Sequence, residues 1–399
     1  MPYDPHKNIF YYYRGPSKRQ EEDIIYDTQV EDNTTKAFIN CLEKSSDNLL
    51  KRFIDYFSLD FKHRSKPQYL LQVSKSKSRP DALIKSATHS LYIESKVASC
   101  INMEQLINHQ EELEENDTLI LISKDEFDNN IGIKHIRWSD IYKCFSNFKS
   151  ESSKERFIIN EFNRYLEVIG LSDFIGFEND DFDYFVNGIE DYKPIVKNKL
   201  IQFSNMVYEE LSNEIKSIYT DRHIGVFSKY PEGGAWFGIR KDQKSKDVFK
   251  HCNFTIEIDA DSIQFNTVIR DGKYDQKKPI GIFYKKIRNN YDDFMNILKS
   301  LSNEYCLYIS KRMPKSGKNF MPGNEKWISL AKLTLEIVTD ETIDYILMML
   351  KKIEFPGIHI GLSVKRSDKV LKDPEKLVQI GKKVIEEEYK VLKFLEAMD

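Results

Sequence analysis

Three short strand-like stretches separated by polar turns, at residues 69–73, 82–84 and 91–97, follow one another between segments of helical period. That order constrains the first part of the chain more than any other feature. Residues 30–44 read as a helix with Ala37, Phe38, Cys41 and Leu42 on one stripe, and residues 49–57 as a second helical segment. After the three strands, residues 103–115 read as a helix, 118–123 as a compact apolar strand and 133–138 as another. Residues 151–169 then close the unit as a helix, with Phe157, Phe162, Tyr165 and Leu166 at helical spacing. The expected fold is an α/β sandwich around a mixed sheet.

At 399 residues the chain exceeds one ordinary core. The acidic stretch at residues 178–183 and Pro194 set an expected boundary between 175 and 195, dividing the chain into domains at 1–178 and 195–399. The second half is strand-rich, at residues 224–227, 236–240, 254–258, 263–269, 306–310, 330–338 and 358–364, with helices at 291–301, 341–353 and 374–397. An α+β domain with a mainly antiparallel sheet is expected there. Asp259, Ala260, Asp261 and Ser262 form the turn of its clearest hairpin.

No run of eighteen apolar residues occurs, and the first thirteen residues lack the basic-then-apolar layout of a secretory signal, so no membrane association and a cytoplasmic location are expected. Cys41, Cys100, Cys144, Cys252 and Cys306 include no C-x-x-C pair. They are expected to be small buried side chains rather than a disulfide framework or a thiolate metal site. The net charge of −3 gives no overall attraction for a polyanion, which leaves local patches to decide. From Phe61 to Lys96, Lys62, Arg64, Lys66, Lys75, Lys77, Arg79, Lys85 and Lys96 face only Asp81 and Glu94. Lys75, Lys77 and Arg79 are the candidates there for holding nucleic-acid phosphates, with a solvated face as the rival reading.

The chemistry concentrates in Arg79-Pro80-Asp81, followed after twelve residues by Glu94-Ser95-Lys96. Hydrolysis of a phosphodiester calls for a hard cation, and Mg²⁺ favours one or two carboxylates plus water and phosphate oxygens. Asp81 and Glu94 are the candidate ligands, for Mg²⁺ or Mn²⁺, and Lys96 the charge that meets the developing anion. Along residues 91–97, Glu94 and Lys96 share one strand face while Leu91, Ile93 and Val97 point the other way, toward a core. Other acid-x-Lys triplets, such as Asp60-Lys62 and Glu214-Lys216, lack both the upstream Pro-Asp and the apolar strand.

These residues resemble the PD-(D/E)XK nuclease superfamily, over the first domain only. Glu31, four residues before Thr35, looks like the helix-borne acid of that family and a third metal ligand, with Asp32 as the less favoured candidate. Gln105, in Gln105-Leu106-Ile107-Asn108-His109, looks like the glutamine that helps position the scissile phosphate. His109 stands where tyrosine is more usual and is expected to be a surface residue. Arg137 to Tyr142 resembles a recurrent strand-to-helix segment and is assigned a structural role. The resemblance implies a restriction-endonuclease-like α/β fold with a mixed sheet flanked by helices, and metal-dependent endonuclease activity on DNA ahead of RNA. It also implies a setting such as bacterial restriction or anti-phage defence; restraint of cutting by sequence recognition, an activating partner or a ligand is expected, and a homodimer suits cutting of both strands of a duplex. The alternative is an inactive relative serving as a nucleic-acid-binding or assembly module.

No phosphate-binding loop is present, because Ser316-Gly317-Lys318-Asn319 lacks the upstream glycine and the following Ser/Thr. Gly233-Gly234-Ala235-Trp236-Phe237-Gly238 fails the dinucleotide spacing and is expected to be a hairpin turn. In the second domain, Lys311, Arg312, Lys315 and Lys318 belong to an expected flexible basic loop at residues 311–318, a second candidate for tracking a phosphate backbone. That domain is expected to recognise nucleic acid, sense a small ligand or mediate assembly.

Overall fold

The computed structural model describes residues 8–11, 23–75, 78–97, 100–127, 131–187, 193–224, 234–242, 244, 249, 252–270, 275–314, 325–353 and 356–397. The described residues up to Asp173 form one compact unit, and those from Phe174 form another.

The first unit runs α1 (Asp23–Lys44), α2 (Asp47–Phe57), β1 (Gln68–Leu71), β2 (Ala82–Lys85), β3 (Ser90–Lys96), α3 (Met103–Glu111), β4 (Asp117–Ser123), β5 (Lys134–Arg137), α4 (Trp138–Ser146) and α5 (Ser153–Val168). Its five strands lie in sequence order as a mixed sheet. β1, β2 and β3 pair antiparallel, while β3, β4 and β5 pair parallel.

The period-two pattern divides this sheet into two unequal faces. Ala82, Ile84, Leu91, Ile93, Ile120 and Ile122 join α1, α2, α4 and α5 in the larger core. At its centre, Phe38 meets the rings of Phe53, Trp138, Phe145 and Phe162 at 5.3 to 6.1 Å. Truncating such a side chain to alanine costs about 3–5 kcal/mol. The opposite face is thin, with Leu83, Tyr92, Leu119 and Leu121 covered by Leu106 of α3 and by Ile133. Trp138 starts a helix instead of ending a strand, and Phe157 is exposed while Ile158 takes the inward position on α5.

The second unit contains α6 (Asn179–Asn187), α7 (Lys193–Glu210), α8 (Asn213–Ile218), β6 (Asp221–Ile224), β7 (Ala235–Arg240), β8 (Asn253–Ile258), β9 (Ser262–Arg270), α9 (Pro279–Asn289), α10 (Tyr291–Ser300), β10 (Cys306–Pro314), β11 (Glu325–Thr334), α11 (Asp340–Lys352), β12 (Pro356–Lys365) and α12 (Pro374–Glu396). Its seven strands form an antiparallel sheet in the order β11-β10-β12-β9-β8-β7-β6. α7 and α12 cover one face: Phe203 packs on Phe265 at 5.9 Å, and Thr267 donates to Glu388 at 2.9 Å.

Several expectations for this half need correction. Residues 174–178 belong to the second unit, because Phe174 and Phe177 pack on Phe203 and Phe177 N donates to Leu371 O. The acidic stretch at 178–183 is not a linker. It leads into α6, where fully buried Asp181 is paired with Lys199 at 2.9 Å. Residues 311–314, expected in a loop, continue β10 and pair with β11 as far as Pro314 opposite Glu325. Among the described residues, the pairing of β10 with β12 runs from Cys306 to Lys311.

Ala235 to Gly238 lie in β7 and not in a turn. β6 ends at Ile224, so the expected strand at 224–227 starts earlier, and its last residues lie outside those described. β11 ends at Thr334, where one 3-10 turn follows. The Asp259–Ser262 turn is as expected, closed by Asp259 N donating to Ser262 O at 3.1 Å. Cys41, Cys144 and Cys252 are buried, but Cys306 is half-buried and Cys100 is exposed. No described helix is long and apolar enough to cross a membrane.

Candidate active site

The β2–β3 pairing explains the spacing of the acidic motif. Ala82 stands opposite Ile93, so continuing the register sets Asp81 opposite Glu94, and the intervening residues are what this hairpin needs. Ser95 N donates to Asp81 Oδ2 at 2.8 Å, which holds the acid against the middle of β3. Glu94 lies on the α3 face of the sheet, the face of its strand neighbour Tyr92. It is fully buried.

Three groups engage or crowd this carboxylate. Lys96 Nζ donates to Glu94 Oε1 at 2.7 Å, and His109 Nε2 lies 3.1 Å from Oε2. Asp81 repels it through space. The surface position expected for His109 is therefore corrected: the residue is 2% exposed, because α3 turns its Leu106–His109 side onto the sheet. Asn102 sets that orientation by capping α3, its side chain accepting from Glu104 N and Gln105 N.

Burial, with the charge of Glu94 next, pushes the Asp81 carboxyl up to about 7, against the opposing effects of the Ser95 N–H and Lys96. For Lys96, burial is the largest influence and favours the neutral amine. The charge and hydrogen bond of Glu94, with Asp81 and Glu31, outweigh it and raise the pKa above the usual lysine value. Lys96 is thus a cation at neutral pH.

α1 contributes Glu31, whose Oε1 accepts from Val97 N at 3.0 Å, while Thr35 Oγ1 donates to Glu31 O at 3.0 Å. Glu31 is close enough to act on Lys96, and exposed Asp32 close enough to act on Asp81. The sheet and α1 therefore gather Glu31, Asp81, Glu94 and Lys96. Gln105 is half-buried on α3, one turn before His109, and among the described residues its side chain makes no hydrogen bond to the acids.

The candidate phosphate-binding residues are placed unevenly. Lys75 is turned inward: its Nζ donates to Glu112 O at 2.8 Å, lies 3.8 Å from Asp117 and sits 3.9 Å from the Tyr92 ring centroid. Arg79 is exposed and donates to Gln72 Oε1. Lys311 is half-buried on β10, where the backbone of Arg312 pairs with Trp327. Lys77, Lys315 and Lys318 lie outside the described residues.

Among the described residues no group of three His, Cys, Asp or Glu side chains is gathered as a ready-made metal shell. The donor chemistry nevertheless fits a hard divalent ion. Two carboxylates stand side by side at cost to each other, and a cation would relieve the repulsion that helps raise Asp81. A depression of about 260 Å³ between α4 and α5, lined in part by Phe145, Arg156 and Ile159, belongs to the other side of the sheet and shares no residue with this cluster. The chain matches no family model, and no curated protein matches it.

Proposed function

We propose that the first unit is a metal-dependent nuclease that hydrolyses phosphodiester bonds, in DNA ahead of RNA. The observation that carries this reading is the ion pair of buried Glu94 with partly buried Lys96, set beside Asp81 by a strand register. What sets this pair apart from the buried Asp181–Lys199 pair of the second unit is the second carboxylate beside it, since acids crowded together in this way with a raised pKa cluster at functional sites.

Asp81 and Glu94 would hold Mg²⁺ or Mn²⁺, with Glu31 near enough to support them. The ion, when bound, polarises the phosphoryl oxygen and acidifies a water molecule. Lys96 remains protonated and so offers positive charge to the developing phosphorane instead of accepting a proton. Without the ion, burial and the charge of Glu94 hold the Asp81 carboxyl up to about 7, and a bound cation would favour its ionised form.

The rival reading is an inactive nuclease-like module that binds nucleic acid or assembles with a partner. It is favoured by one observation, that both oxygens of Glu94 already have protein partners. Incubating the purified chain with plasmid, linear duplex, single-stranded DNA and RNA, each with Mg²⁺, Mn²⁺ or EDTA, decides between them. Cleavage that depends on the ion supports the enzyme. Retention of nucleic acid without cleavage in any arm supports the module.

A further inference from the structure

We propose that His109 is a positioning residue of this site, whose Nε2–H fixes the Glu94 carboxylate in the orientation that presents it to a divalent ion. The proposal rests on the reading of Glu94 as an ion ligand given above.

Glu94 is held at two different oxygens by donors from two elements, Lys96 of β3 at Oε1 and His109 of α3 at Oε2. Rotation of the carboxylate about its terminal bond would break at least one of these contacts. The other ring nitrogen, Nδ1, is buried without a hydrogen-bond partner among the described residues. A proton on Nε2 and none on Nδ1 is the arrangement that leaves no buried N–H without an acceptor.

That arrangement also argues against a core filler. A leucine at this place would bury apolar area beside Leu106 with no orphaned nitrogen, whereas an unsatisfied buried polar atom costs about 1–3 kcal/mol. Among the described residues, the polar contact this ring makes is with Glu94. Hydrogen-bond partners of metal-binding side chains set the orientation and basicity of those ligands, and their loss lowers metal affinity or activity by about 10–100-fold.

The test compares His109→Phe, which keeps a ring but has no donor, with His109→Gln, which keeps a terminal N–H. Mn²⁺ affinity is measured by calorimetry on the free protein, and cleavage is measured across a Mg²⁺ titration. His109→Phe is expected to weaken Mn²⁺ binding and raise the Mg²⁺ midpoint by about 10–100-fold, with nucleic-acid affinity in EDTA unchanged. His109→Gln should recover most of that loss at an equal melting temperature.

Wild-type Mn²⁺ affinity in His109→Phe overturns the proposal, as does an equal loss in both variants at unchanged stability. If His109→Phe folds poorly, His109→Leu takes its place against His109→Gln under the same criteria. Absence of cleavage by the wild type would defeat the nuclease reading alone. Calorimetry and the tautomer of His109 in ¹⁵N spectra, expected to be Nε2–H, would still judge its hold on Glu94.

Discussion

Asp81 accepts the backbone N–H of Ser95 at 2.8 Å, a bond that locks the residue preceding β2 against the centre of β3. Because Ser95 lies between Glu94 and Lys96, one hydrogen bond sets the position of Asp81 relative to both. The acid, acid and lysine are thus a property of one hairpin, and their relative placement depends on its register more than on any helix.

Removing the lysine should separate chemistry from binding. Lys96→Ala is expected to abolish cleavage while nucleic-acid affinity stays within about one order of magnitude, since one cation is a small part of an electrostatic footprint. The variant also leaves Glu94 buried without its cation, for which a loss of about 3–5 kcal/mol is the usual scale. Adding Glu94→Gln should return much of that stability without restoring cleavage. Melting curves and a plasmid assay on the two variants check this, and cleavage by Lys96→Ala at the wild-type rate would remove Lys96 from the site.

Cleavage should require an added hard cation. Asp81 and Glu94 are oxygen donors, and no thiolate stands among the groups identified at the site, so Mg²⁺ or Mn²⁺ is expected to support activity and EDTA to abolish it. Undiminished cutting by protein shown to be free of metal would sink the assignment.

Asp81 should make the metal-free protein less stable as pH rises. Its folded pKa of about 7 exceeds the ordinary aspartate value of 3.8. From about pH 4 to 7 the unfolded chain therefore releases a proton that the folded chain retains, and stability falls by at most about 1.4 kcal/mol per pH unit. Asp81→Asn keeps an acceptor for Ser95 N and removes this penalty. In EDTA the variant should melt above the wild type at pH 8, with the advantage vanishing below pH 4. A constant difference across that range would contradict the assigned shift.

The second unit should show the opposite sign at His359. Burial, aided by Arg270, holds its imidazole down at about 3, against an ordinary histidine value of 6.5. The ring stacks on Tyr308 at 4.4 Å, and its Nε2 lies 2.7 Å from Ser310 Oγ. As pH falls below 6.5 the unfolded chain takes up a proton that the folded chain refuses, so stability present above that pH is lost toward pH 3. His359→Gln keeps hydrogen-bonding capacity and should flatten that acid-side decline in urea midpoints measured from pH 7 to 4. A variant with the same slope as the wild type would show that His359 does not contribute to it.

Much of the first unit was legible because its strands alternate cleanly. Leu91 and Ile93 point to one core, Glu94 and Lys96 to the other face, and the hairpin spacing follows from the pairing of Ala82 with Ile93. His109 was not legible as a buried group. A single histidine on a helix carries no period of its own, and only the docking of α3 onto β3 reveals its contact with Glu94.

The N-terminal helices of the second unit were hidden for a different reason. Asp180, Asp181 and Asp183 look like a solvated linker, yet Asp181 is neutralised by Lys199 from the next helix, a pairing that no local pattern announces. Phe157 misled in the reverse direction. Its aromatic side chain suggests a core position, but the stripe through Ile158, Phe162 and Leu166 takes the inward face of α5.

The unequal thickness of the two faces of the five-stranded sheet has a dynamic consequence. On one side the sheet shares a core with four helices, while on the other α3 is a short helix with Leu106 and His109 as its buried anchors. Regions with few buried apolar contacts open at a small fraction of the global unfolding free energy. Amide protons of α3 should therefore exchange with solvent through a local opening, long before those of β3 and β4, which require the whole unit to come apart. Each such excursion would hydrate Glu94 and free its Oε2 while Asp81 and Ser95 keep their hydrogen bond, leaving the hairpin half of the site assembled and the helical half in exchange with water.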